Sequence, residues 1–293
     1  MNNIFKGLGV ALITPFCEDG SVDYAALKSL IDFQIEGGID FLCVLGTTAE
    51  TPCLTVEEKI ALKNAAVETV DGRVPILLGM GGNNTAMLVE EIKKFDFRGV
   101  DGILCVVPYY NKPSQEGLRL HFKHVAEAAG DIPVVLYNVP GRTGVNMQAA
   151  TTLRLAREVD NIVAVKEASG CVEQIADIVQ SAPEGFGVLS GDDGLTCELI
   201  DRGACGVISV VGNALPKTLA EMVHCALNDD KPKAGEIDAR LKKLYRLAFA
   251  DGNPAGIKAL LEAKGRCCNV LRLPLVKATA PVAEALRAFA DLD

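Results

Sequence analysis

Apolar residues along this chain gather into eight short runs, separated by longer stretches that mix apolar and polar positions. The runs occupy residues 9–14, 41–45, 76–79, 102–107, 133–137, 162–166, 187–190 and 206–209. Each is about four to six residues long and is bounded by turn formers, the pattern of a strand buried on both faces. The stretches between them mostly repeat apolar residues at i, i+3 and i+4. That spacing predicts amphipathic helices, most clearly over 22–36, 56–70, 115–129 and 147–159. Helix starts are signalled by Ser21, by the capping-box pattern Thr55-Val56-Glu57-Glu58, and by Ser114 after Pro113.

Strands alternating with helices predict parallel βαβ units. Eight of them in about 210 residues fit the α/β class and a (β/α)8 TIM barrel. The competing layout is an open doubly wound sheet. If it bound a dinucleotide, it would often carry a GxGxxG turn after its first strand. Gly79-Met80-Gly81-Gly82 is only loosely similar and follows the third run. After Pro216 the strand signal stops. Asp229-Asp230-Lys231-Pro232-Lys233 reads as a polar break, and 237–250, 256–267 and 281–292 read as helices. The expected division is a barrel over 1–228 and a C-terminal helical region over 229–293.

Composition narrows the partners. The chain has 293 residues, 49% of them hydrophobic, enough for a sizeable core. A net charge of −9 without a basic run argues against nucleic acid or an anionic membrane as partner. No stretch approaches the roughly 20 apolar residues of a membrane span. The first residues lack a basic region and a cleavage site, so no signal peptide is expected. Ten cysteines occur without a CxxC, and three histidines are dispersed, which argues against a zinc site. Cysteines such as Cys43 and Cys105 read as small buried hydrophobes in a reducing, cytoplasmic setting.

In a barrel of this kind chemistry sits at the C-terminal strand ends. The polar residues there are Thr14, Thr47, Thr48, Tyr109, Tyr110, Tyr137, Asn138, Lys166, Ser190 with Asp192 and Asp193, and Ser209. Lys166 closes the apolar run Ile162-Val163-Ala164-Val165. Desolvation at such a place lowers a lysine's pKa, and a neutral amine attacks carbonyls to give a Schiff base. The competing reading is a lysine that snorkels to water. Gly46-Thr47-Thr48 offers N–H and O–H donors for a small carboxylate, or a plain turn with a threonine cap. Arg142, in the turn-rich 137–144 loop, either forks onto a carboxylate or is a solvated loop charge. Adjacent Asp192 and Asp193 read as a cap for the next helix rather than as metal ligands. No histidine and no carboxylate cluster joins this rim. The set suits amine catalysis with hydroxyl proton relays better than metal-assisted hydrolysis.

Taken together, GVALITPF (9–16), GTTAETPCLT (46–55), PYYNKPSQEGL (108–118), YNVPGRTG (137–144), VKEASG (165–170), LSGDD (189–193), GVISV (206–210) and Asn253-Pro254 resemble the pyruvate-dependent class I aldolases headed by N-acetylneuraminate lyase. Within that superfamily they resemble the dihydrodipicolinate synthase family, over essentially the whole chain. The resemblance implies a lyase in which Lys166 forms an imine with pyruvate and the resulting enamine attacks L-aspartate 4-semialdehyde. It also implies that Thr48 and the backbone near Ile208 hold the pyruvate carboxylate, and that Arg142 pairs with the second substrate. Tyr137 would move protons, with Thr47 and Tyr110 completing the relay and Tyr110 entering from a neighbouring subunit. No cofactor beyond the covalent imine on Lys166 is implied. The implied assembly is a homo-oligomer, a homotetramer built as a dimer of dimers or a dimer alone, acting in lysine biosynthesis. The family's GTTGE-S reads GTTAE-T here, with Ala49 and Thr51.

Relatives are often inhibited by lysine at positions matching Thr51, Val56, Lys59, Asn83, Met87 and Tyr109. Val56, Lys59 and Met87 replace polar or acidic groups, so weak inhibition by lysine is expected. Two other functions stay open at this point. One is a superfamily enzyme acting on a sugar-like 2-keto acid, against which Arg142 and Tyr110 argue. The other is a catalytically idle 2-keto-acid sensor, which borohydride trapping with pyruvate would separate from an enzyme.

Overall fold

The computed structural model describes residues 4–293. Eight parallel strands, β1 (Gly7–Ala11), β2 (Phe41–Val44), β3 (Ile76–Gly79), β4 (Gly102–Val106), β5 (Val134–Asn138), β6 (Ile162–Glu167), β7 (Gly187–Ser190) and β8 (Gly206–Ser209), close into a barrel in sequence order. Closure is made by β1 pairing β8, with Gly9 opposite Ile208. The expected (β/α)8 barrel is therefore the observed fold.

Period-two alternation divides each strand between two apolar cores. Phe41, Cys43, Leu77, Ala164, Leu189 and Ile208 point into the lumen. Their neighbours Leu42, Val44, Ile76, Leu78, Val165 and Val207 point outward, onto the surrounding helices. The lumen is plugged at the N-terminal strand ends by Phe5 and Phe41, an edge-to-face pair with ring centroids 5.4 Å apart. Two glycines make room for it. A Cβ at Gly9 would come within 2.2 Å of the Phe41 ring, and one at Gly102 within 2.7 Å of Phe5.

The helices between strands include Tyr24–Glu36, Val56–Val70, Thr85–Lys94, Gln115–Ala129 and Ala149–Glu158. Thr55 and Glu58 form the expected capping box, and Ser114 accepts from Gly117 N. The first helix starts later than Ser21 suggests, because Asp23 takes the cap by accepting from Ala26 N. The charged stretch at 229–233 breaks the chain between the helix Pro216–Leu227 and the next one, but the break is shorter than expected and ends at Asp230. Asp230 caps a helix over Lys231–Ala250, with Pro232 in its first turn, where a missing N–H costs nothing. Helices Ala255–Ala263 and Ala280–Arg287 follow. Ile237, Leu241, Leu244, Ile257, Leu260 and Leu286 from this region join the same outer core as the barrel. Among the described residues no helix is long and apolar enough to cross a membrane.

Candidate active site

Strand register brings Tyr137 and Lys166 together. Tyr137 of β5 is the direct cross-strand partner of Lys166 of β6, so both side chains leave the same face, toward the lumen, near the C-terminal strand ends. Lys166 is only 5% exposed, and its Nζ lies 4.5 Å from the centroid of the Tyr137 ring. The amine is thus held among barrel residues and does not snorkel to water. Below it, burial pushes the Cys43 thiol up to about 11, opposed by the Lys166 charge.

The outward-facing neighbours of this pair fix the strand ends. Asn138 Nδ2 donates to both oxygens of Glu167 at 3.0 and 3.1 Å, and Asn138 Oδ1 accepts from Met147 N. Glu167 also accepts from Ser169 N and from Gln174 Nε2. Burial pushes the Glu167 carboxyl up, and these hydrogen bonds pull against it. At β8, Asp193 accepts from Ser209 Oγ and from the N–H groups of Val210 and Val211. Asp192 alone acts as the expected cap, accepting from Gly194 N, while Asp193 pins the end of β8.

A cavity of about 370 Å³ opens at this rim, lined by Thr47, Lys59, Tyr109, Tyr137 and Arg142 among others. Thr47, Tyr137 and Arg142 are therefore brought to one space. Thr48 and Ile208 are buried. Thr48 Oγ1 accepts from Asn253 Nδ2 at 2.9 Å, and Ile208 faces the lumen. Tyr110 stands apart. It is 88% exposed, its φ is +73°, and it does not line its own chain's cavity.

The loop carrying Thr47 and Thr48 is tightly fixed. Leu45 and Glu50 at its ends both take left-handed backbone angles, φ +57° and +56°. Ala49 lies in a 3-10 turn between them, so its methyl meets no backbone penalty. Thr51 Oγ1 donates to the carbonyls of Leu45 and Gly46, and Thr14 Oγ1 donates to the Ala49 carbonyl.

Sequence reasoning missed what stands behind this loop. Glu50 and Lys258 form a fully buried ion pair at 2.5 Å, and Glu50 also accepts from Arg272 N. Lys258 Nζ further donates to the Val270 carbonyl and sits 4.2 Å from the Phe16 ring centroid. Burial pushes the Lys258 amine down, and the Glu50 charge opposes that. Arg272 forks onto Glu58, holding its carboxyl down at about 2. Glu50 and Lys258 lie more than two hundred positions apart in sequence, and no local signal pairs them.

The profile of the Dihydrodipicolinate synthetase family matches residues 4–291. The chain is 57% identical over 284 residues to the 4-hydroxy-tetrahydrodipicolinate synthase of Phocaeicola vulgatus, covering 97% of this chain and 95% of the relative. It is also 57% identical over 271 residues to the enzyme of that name from Parabacteroides distasonis, covering 92% and 91%. The crystal structure of dihydrodipicolinate synthase from Aquifex aeolicus superposes with a TM-score of 0.93 at 43% identity, covering 97% of this chain and 96% of that one.

Proposed function

The chain belongs to the dihydrodipicolinate synthetase family, and from that footing we propose how its own residues perform the reaction of a 4-hydroxy-tetrahydrodipicolinate synthase. The activity is that of a class I aldolase-like lyase. In our reading the Lys166 amine adds to the keto carbon of pyruvate, and water leaves to give a protonated imine. The imine draws electrons from the methyl group, which loses a proton and becomes an enamine carbon. That carbon attacks the aldehyde of L-aspartate 4-semialdehyde. The substrate amine then closes onto the imine carbon and expels Lys166, so no cofactor beyond the covalent imine takes part.

Tyr137 is the proton carrier of this reading. It passes protons on in concert with the hydroxyls of Thr47 and Tyr110. Thr48 and the backbone near Ile208 hold the pyruvate carboxylate, and Arg142 receives the carboxylate of the second substrate. The observation that carries the reading is the buried Lys166 amine facing the Tyr137 ring from the adjacent strand. Borohydride reduction with pyruvate tests it: a mass adduct is expected on Lys166. Turnover with aspartate semialdehyde, and none with sugar aldehydes, is the companion result. Failure to trap Lys166 would sink the reading.

Tyr110 supports an assembled enzyme. An 88% exposed tyrosine, with Tyr109, Met87 and Val56 also exposed, suits burial against a second copy. We assign a homotetramer, a dimer of dimers, in which Tyr110 completes the partner's site. Mixing Tyr110→Phe and Lys166→Ala subunits should restore turnover above that of either variant. The barrel at 1–228 carries the chemistry in this reading, and 229–293 braces it. Ten cysteines without a CxxC pair support a reducing, cytoplasmic setting in our reading. Lys59 lines the cavity, and its charge opposes a second ammonium there, so inhibition by lysine should be weak. Half-inhibition at sub-millimolar lysine would contradict that.

A further inference from the structure

The Asn253-Pro254 pair was part of the sequence pattern, and nothing in the reaction above uses it. Its position is informative. Asn253 precedes the helix Ala255–Ala263, in the C-terminal region, and is itself buried. Its Nδ2 donates to Thr48 Oγ1 across 205 residues of sequence. Three hydroxyls near this loop can be compared. Thr14 gives its proton to the Ala49 carbonyl, and Thr51 gives its proton to the carbonyls of Leu45 and Gly46. Thr48 is 2% exposed, yet among the described residues its hydroxyl donates to no protein group and only accepts. A buried donor with no protein acceptor is costly unless a ligand supplies one.

A hydroxyl that accepts from an amide has its lone pair engaged and its proton directed elsewhere. We propose that Asn253 is a positioning residue for pyruvate: its amide nitrogen holds Thr48 Oγ1, so that the threonine proton is presented to the substrate carboxylate. This rests on the reading that Thr48 binds that carboxylate. The Glu50–Lys258 pair fixes the spacing of the two segments, since it joins the same loop to the same C-terminal helix one turn further on. Asn253 touches no reacting atom, and its effect passes through Thr48.

The test measures KM for each substrate, and half-saturation of borohydride trapping by pyruvate, in Asn253→Ala, Asn253→Asp, Thr48→Val and the Asn253→Ala/Thr48→Val double variant. Asn253→Ala should raise KM for pyruvate about tenfold, the value of one charge-assisted hydrogen bond. KM for aspartate semialdehyde should move less than about twofold, since an effect confined to one substrate is not a loss of fold. The double variant should bind pyruvate no more weakly than Thr48→Val alone, because the two residues act as one unit. Asn253→Asp, close to isosteric, should be worse than Asn253→Ala: its carboxylate takes the threonine proton and repels the substrate. It also decides the matter if the alanine variant does not fold. An unchanged pyruvate KM in Asn253→Ala, or multiplicative losses in the double variant, would overturn the proposal. So would equal losses for both substrates. Absence of a trapped adduct in the unmodified protein would instead remove the underlying reading of the reaction.

Discussion

The two ends of the barrel lumen are filled in opposite ways. At the N-terminal end Phe5 and Phe41 meet edge to face, and Gly9 and Gly102 give up their side chains to admit the rings. At the C-terminal end the inward positions of β5 and β6 carry Tyr137 and Lys166 instead, beside a cavity of about 370 Å³. The closed end gains dispersion and loses water. The other end forgoes both and holds a polar amine and a phenol, the groups that meet the substrates in the proposed reaction. A barrel can do this because its strands are stapled by backbone hydrogen bonds along their whole length. Stability can therefore be concentrated at one end and reactivity at the other.

The sharpest test of that separation is Lys166→Ala. Turnover should fall at least about ten-thousandfold, while the melting temperature stays within a few degrees. A collapse of the fold would mean that the rim carries stability too. Next comes Tyr137→Phe, which keeps the ring under the lysine and removes only the hydroxyl. We expect kcat to drop about a thousandfold, as for loss of a proton carrier, with no change in urea midpoint. The mirror experiment is Phe41→Ala at the closed end. It should cost about 3–4 kcal/mol in unfolding free energy and leave KM for pyruvate unchanged in the folded fraction. A shifted KM would show that the two ends communicate.

The smallest effect probes the helical shell against both ends. His121 is buried, with Nδ1 2.8 Å from Thr85 Oγ1 and Nε2 without a protein partner among the described residues. Burial pushes it down from 6.5 to about 4. The unfolded chain takes up this proton first, so acid favours unfolding. Between pH 6.5 and about 4, stability should fall by on the order of 3 kcal/mol through this residue, and be unaffected by it above pH 6.5. Urea titrations of His121→Gln across that range should show a flatter slope. An unaltered slope would remove the buried imidazole as its cause.

Much of this layout was legible because parallel strands and amphipathic helices differ in period. The runs at 76–79, 187–190 and 206–209 coincide with β3, β7 and β8. The first apolar run covers 9–14, whereas the strand spans Gly7–Ala11. Leu12, Ile13 and Thr14 are buried in a loop, where Asn213 Oδ1 accepts from Ile13 N. Apolarity reports burial, and only the ladder defines a strand. The rim residues were legible through the rule that chemistry follows strand ends. Their supports were not. Lys258 and Arg272 look like ordinary polar positions of terminal segments, Asn253 shows only as half of a motif pair with Pro254, and Asp193 looks like half of a cap. What gives each its meaning is a partner brought near by closure of the fold, and one chain read alone carries no trace of it.

The buried Glu50–Lys258 pair bears on how this chain can be rebuilt. A lone charge left behind in that dry pocket would cost about 3–5 kcal/mol. Any graft or recombination crossing the interval between positions 50 and 258 must import both partners or neither. A chimera joining this barrel to a foreign C-terminal segment would therefore succeed or fail on one distant matched pair, whatever the similarity at the splice itself.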